Sequence, residues 1–202
     1  MGIKENILKV IRSEAFKARL CEINNHYFNL KQESFIRNAV LEALNKRFSE
    51  QRNQQFRAIA EHPRINNTRI DLSVVDRQSR EMYRVEFKFH FTKDFNPKEN
   101  NYTGYINRDY NASRGTDMYI LVVASWDIGE KEEFDAKWGI EPSRRLSKYI
   151  ARYTDWEQYF DAPFERYNEL TDNSYLSDFC KIELLVDQPY RTRYLFYVLW
   201  KQ

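Results

Sequence analysis

Residues 82–91, MYRVEFKFHF, alternate apolar and polar side chains over the length of a full strand. Successive strand residues project to opposite faces, so Tyr83, Val85, Phe87, Phe89 and Phe91 share one face and Arg84, Glu86, Lys88 and His90 the other. A face of four aromatic rings and a valine demands a packed layer against it, which makes this segment the anchor of a sheet with helices or strands stacked on one side. The preceding run RIDLSVVD and the polar linker DRQSRE complete a hairpin. A symmetric loop centred between Gln78 and Ser79 pairs residues whose numbers sum to 157, and 157 − 86 = 71, so Asp71 falls opposite Glu86.

Two carboxylates in a direct cross-strand pair have Cβ atoms about 4.5–5.5 Å apart and repel each other unless positive charge lies between them. A divalent cation would remove that penalty, and hard cations such as Mg²⁺ take carboxylate and carbonyl oxygens while keeping water positions open for a phosphate. Lys88 points the same way as Glu86. An ammonium there can orient an attacking water or offset charge on a phosphoryl transition state. A solvated charge pair on an amphipathic strand accounts for Glu86 and Lys88 equally well when they are taken alone.

Around the hairpin, Ile7, Leu8, Ile11, Ala15 and Ala18 fall at helical spacing, and Ile36, Val40, Ala43 and Leu44 repeat it within Glu33–Phe48, which predicts two opening helices. QQFRAIAEHP reads as a strand closed by Pro63 and the Asn66–Asn67 pair. A polar, Asn-rich segment follows the hairpin, with a helix near Tyr105, before MYILVVAS supplies a strand buried on both faces. A helix over Pro142–Tyr153 and closing strands at Ile182–Val186 and Tyr194–Trp200 complete the pattern, while DWEQYFDAPFERYNEL has no assignable periodicity. The order predicts an α/β (α+β mixed) fold, a central mixed sheet flanked by helices, within one domain over residues 1–202.

In these residues the chain resembles the PD-(D/E)XK nuclease superfamily, whose signature is an acid opening one strand and Glu-x-Lys in its partner. Asp71 in RIDLSVVD and Glu86 and Lys88 in VEFK match it. Glu33 in QESFIRNAVLEAL matches the upstream helix acid, and GYINRDY with MYILVVAS matches the downstream helix and strand. The likeness covers about residues 30–125, and residues 126–202 are an elaboration outside it. Ile70 stands where the family carries proline before the first acid. The resemblance implies a restriction-endonuclease-like fold and an endonuclease hydrolysing phosphodiester bonds in DNA with Mg²⁺ or Mn²⁺, of restriction or repair type. It implies Asp71, Glu86 and the main-chain carbonyl of Phe87 as metal ligands, Lys88 as the group positioning water, and Glu33 as an auxiliary catalytic acid. A homodimer would suit cleavage of both strands of a duplex. The alternative is a nuclease-fold protein without turnover that binds nucleic acid or a protein partner.

Net charge is only +2, so attraction to a polyanion must come from local clustering. Arg144, Lys148 and Arg152 form one such stripe, and Arg108 and Arg114 lie after the hairpin. Glu61 ends its strand near the same edge and is a secondary ligand or positioning candidate. His90 shares the face of Lys88, whereas His26 and His62 have no partners at metal-ligand spacing. Cys21 and Cys180 are too far apart in sequence to suggest a zinc ribbon or disulfide framework. With neither a signal-peptide core nor a membrane span in sight, the expected setting is cytoplasmic.

Overall fold

The computed structural model describes residues 2–51, 55–62, 64–65, 68–94, 102–110, 115–140, 150–151, 155–171 and 176–202. In chain order the helices and strands are α1 (Ile3–Ile11), α2 (Glu14–Tyr27), α3 (Glu33–Glu50), β1 (Phe56–Ala60), β2 (Arg64–Ile65), β3 (Thr68–Arg69), β4 (Leu72–Asp76), β5 (Met82–Phe91), α4 (Tyr102–Tyr110), β6 (Met118–Trp126), α5 (Ile128–Lys137), α6 (Trp156–Glu165), α7 (Tyr167–Leu170), β7 (Ser177–Val186) and β8 (Thr192–Lys201). Six of the strands form one mixed sheet in the order β1-β4-β5-β6-β8-β7, and β2 with β3 forms a separate two-stranded ribbon. Among the described residues only the β5–β6 pairing of this sheet is parallel. The segment beyond residue 125 therefore completes the same sheet rather than standing apart from it.

The alternation of β5 is realised as two layers. Val85, Phe87, Phe89 and Phe91 join the core beneath α1, α2 and α3, together with Ile36, Val40, Leu44 and Phe48 of α3. The opposite sheet face, carrying Tyr119, Leu121, Val123, Leu195, Tyr197 and Leu199, is covered by Ile106 and Tyr110 of α4, Phe160 and Phe164 of α6, and Tyr167 of α7. β6 is buried along almost its whole length because helices lie on both of its faces, as its unbroken apolar run requires.

The predicted register is the one formed: Leu72 pairs with Val85, Ser73 with Arg84, Val74 with Tyr83 and Val75 with Met82. The first helix departs from expectation. Ser13 breaks the Ile7–Ala18 periodicity into α1 and α2, its hydroxyl accepting from the Phe16 N–H in a standard N-terminal cap. Ala15 and Ala18 are exposed as a result, and Phe16, Leu20 and Ile23 face the core instead. DWEQYFDAPFERYNEL, without readable periodicity, forms α6 and α7. Helix α5 was not anticipated; Asp127 caps it by accepting from the Glu130 N–H. The helix expected over Pro142–Tyr153, the turn at Asn66–Asn67, and the residues Arg114, Arg144, Lys148 and Arg152 lie largely outside the described residues. Among the described residues no helix is long and apolar enough to cross a membrane.

Candidate active site

Strand β4 pairs with β5 only over residues 82–85, and β5 continues to Phe91 with β6 on its other side. Beyond residue 85 the β4 side of β5 is therefore an open sheet edge inside the molecule. Buried main-chain donors need partners. Here carboxylates supply them: Phe87 N–H donates to Asp71 Oδ2 at 2.8 Å, Phe89 N–H to Glu33 Oε2 at 3.0 Å, and Phe91 N–H to Asp94 Oδ2 at 3.0 Å. Three acids from three segments thus line one edge of a single strand. Because the N–H and C=O of one strand residue face the same side, the Phe87 carbonyl also opens toward Asp71.

The sequence places Asp71 opposite Glu86; the pairing of β4 with β5 ends one step short, at Leu72–Val85, and Asp71 stands one residue before β4 and turns its carboxylate to the Phe87 main chain. Glu86 is only 3% exposed and lies across from Tyr119 in the parallel pairing. Its charge, with those of Asp109 and Glu33, acts on the Tyr119 hydroxyl, whose pKa burial raises well above the usual phenol value. Lys88 lies on the same face, its Nζ 3.9 Å from Asp109 Oδ2 of α4. Lys88 is also the strongest positive neighbour of Glu33, and Lys88 and Arg37 both act as positive neighbours of Asp71. Glu33, Asp71, Lys88 and Asp109 therefore meet where α3, approaching from one sheet face, and α4, from the other, converge on the edge of β5.

Burial pushes the carboxyl pKa of both Glu33 and Asp71 upward. Asp71 adds to the shift of Glu33 and Asp109 to that of Asp71, while in each case the main-chain N–H bond and Lys88 oppose it. Ionised, these groups are held at a cost in an unliganded fold, and a bound cation would relieve it. Among the described residues no three His, Cys, Asp or Glu side chains stand close enough to hold an ion by themselves. The oxygen donors that could take part in holding a cation are the carboxylates of Asp71 and Glu86 and the Phe87 carbonyl. These are all hard oxygen donors, and their chemistry fits Mg²⁺ or Mn²⁺ rather than a soft metal.

Two charged residues of the site escaped the sequence reading. Arg37, one helical turn after Glu33, places Nη1 3.7 Å from Asp71 Oδ1 and 3.6 Å from Glu61 Oε1. Its spacing from Glu33 was legible; its partners were not. Asp109 is brought to Lys88 by α4 alone, and no motif marks it. Glu61 turns out to be a bridging residue: it pairs with Arg69 at 2.6 Å, takes the left-handed conformation at φ 51°, and donates its N–H to Asp71 O. Arg108 flanks the site, bonded to Asp109 at 3.1 Å.

His90 lies deeper, between Tyr102, whose hydroxyl is 3.3 Å from Nδ1, and Phe160. Burial lowers its pKa to about 4, with Lys31 and Lys88 acting in the same sense and Asp94 and Asp109 against it. A histidine neutral in the fold but protonated when unfolded binds fewer protons folded. Its stabilising contribution is complete above about pH 6.5 and is lost as pH falls toward about 4. In thermal melts over that window, His90→Gln is expected to flatten the fall in stability by on the order of 2–3 kcal/mol; parallel wild-type and variant curves would assign the acid sensitivity elsewhere.

No protein-family model matches the chain, and neither the curated proteins nor the solved structures contain a significant match to it.

Proposed function

We propose that the chain is a metal-dependent nuclease of the PD-(D/E)XK type, hydrolysing phosphodiester bonds in DNA. The observation that carries this reading is the early end of β4, which leaves Asp71, the Phe87 main chain and Lys88 together at one edge of an otherwise buried strand. The order of elements supports it: helix α3, the antiparallel strands β1, β4 and β5, helix α4, then β6 parallel to β5. That is the sequence of elements in which the family sets its acid and its Glu-x-Lys.

Asp71 and Glu86 with the Phe87 carbonyl would hold Mg²⁺, or Mn²⁺ in its place. The ion's chemistry would be to polarise the scissile phosphate and offset the charge that builds on it. Lys88, restrained by Asp109, orients a water for in-line attack and spreads charge at the pentavalent phosphorus. Glu33, fixed by the Phe89 N–H and raised in pKa by burial, is a carboxylate beside Lys88 suited to take a proton from that water. Asp109 sets the position of Lys88 without touching the reacting atoms.

A second reading has its own support. Asp71 and Glu33 are both engaged in capping β5, a role that explains them in a nuclease-fold protein that binds nucleic acid or a partner without cutting. Supercoiled plasmid separates the two. The nuclease reading expects nicked and linear DNA to accumulate in Mg²⁺ or Mn²⁺ and none in EDTA, with duplex and single-stranded RNA run alongside to fix the substrate. DNA left intact in both metals would favour the binding protein.

A further inference from the structure

Arg37 is a largely buried cation with surplus donors. Its side chain is only 11% exposed, and its Nε and Nη2 both bond Asn38 Oδ1, at 3.2 and 3.1 Å. Its remaining nitrogen, Nη1, lies between Asp71 and Glu61 at 3.7 and 3.6 Å, distances that carry charge attraction but not a hydrogen bond. Both acids have better partners. Glu61 holds Arg69 at 2.6 Å, and Asp71 holds the Phe87 N–H at 2.8 Å. A guanidinium kept at this depth, attracted to both acids but hydrogen-bonded to neither, is poised for a different anion.

We propose that Arg37 is a phosphate-contacting residue of the substrate site, restrained by Asp71 and Glu61 until a polynucleotide enters. This rests on the nuclease reading and deepens it. Arg37 lies on α3 one turn beyond Glu33, at the mouth where β4 leaves β5, so a phosphodiester seated against Asp71 and Lys88 comes within its reach. With a divalent cation held at Asp71, the attraction that restrains Arg37 would be offset, and Nη1 would be able to donate to a phosphate oxygen. A planar guanidinium suits phosphate better than an ammonium on the same stem. Arg37 would thus turn metal loading into a grip on the backbone, without reading sequence.

The test is binding rather than turnover. Anisotropy of a labelled DNA duplex is measured in Ca²⁺, a hard cation for the same oxygen donors, across a salt series. Each phosphate neutralised on duplex DNA contributes about −0.9 to the slope of log affinity against log salt. Arg37→Gln is expected to make that slope shallower by about 0.9 and to weaken binding at low salt by roughly tenfold. Arg37→Lys, which keeps the charge between Asp71 and Glu61, should hold the slope near that of wild type while losing affinity severalfold. A wild-type slope and affinity in Arg37→Gln would overturn the assignment, and so would undiminished affinity in Arg37→Lys should the glutamine variant fail to fold. Failure of the nuclease reading looks different: wild-type protein would then show no Ca²⁺-dependent binding at any salt concentration.

Discussion

Replacing Lys88 with methionine is expected to lower Mg²⁺-dependent plasmid cleavage by about 10²–10³-fold while leaving metal binding intact. The size follows from removing one preorganised charge from a site where charge develops, typically about 3–4 kcal/mol of transition-state stabilisation. Lys88 is a good place to make the cut because the fold depends on it little. Its contact with Asp109 is 3.9 Å long, and Asp109 keeps Arg108 at 3.1 Å when Lys88 is gone. Methionine preserves most of the stem that lies along the sheet face, so the melting temperature should move by no more than a few degrees. The decisive pattern is loss of rate with retained metal response. A variant that cuts like wild type would remove Lys88 from the chemistry.

The largest effect on stability is expected far from that site. Lys131 and Asp135, one turn apart on α5, are each 3% exposed, and Lys131 Nζ donates to both carboxylate oxygens at 2.7 Å. The ammonium also lies 5.1–5.5 Å from the ring centroids of Tyr190, Trp126 and Phe28. Three ring faces replace part of the water the cation has given up. Lys131→Met fills the space but strands Asp135 as a buried carboxylate, which costs about 3–5 kcal/mol. For a chain of this size that is a fall of on the order of 10 °C in melting temperature. The double variant Lys131→Met, Asp135→Leu should recover most of the loss, since an apolar pair of similar volume needs no counter-charge. If the single and double variants melt alike, the penalty is not electrostatic. The DNA and metal responses should be unchanged in both, because the rings that surround the pair, Phe28, Trp126 and Tyr190, belong to none of α3, β4 and β5.

What could be read in the sequence was what local physics fixes. Alternation in MYRVEFKFHF gave the two faces of β5, and the length of DRQSRE gave the register that pairs Leu72 with Val85. Helix α3 was legible because Ile36, Val40 and Leu44 keep period through a segment free of breakers. The α1–α2 break was missed because Ala15 and Ala18 fit a helical stripe in either phase, and the competing signal was one capping serine. Helix α5 was missed for a related reason: its buried face is Lys131 and Asp135, so hydrophobic periodicity cannot mark it, although Asp127 three residues before Glu130 was a readable start.

The site divides along the same line. Asp71, Glu86, Lys88 and Glu33 were nameable as candidates because strand and helix spacing is local. Their division of labour was not. That Asp71 and Glu33 also cap the free edge of β5 depends on where β4 stops, and that Arg37 and Asp109 supply the counter-charges depends on how α3 and α4 pack. Such contacts bridge long stretches of chain, as Glu33 does to Phe89, and no pattern within one segment encodes them.

The proposed site would hold a divalent ion through Asp71, Glu86 and the Phe87 carbonyl, and calorimetric titration of the metal-free protein with Mg²⁺ and Mn²⁺ tests it directly. Wild-type protein is expected to bind with a saturable heat and to melt several degrees higher in saturating metal, as any ligand specific to the folded state requires. Asp71→Asn keeps an oxygen for the Phe87 N–H but removes the charge, and should lose both responses while remaining folded. A wild-type protein that gives no saturable heat and melts at the same temperature with and without either metal would contradict the account.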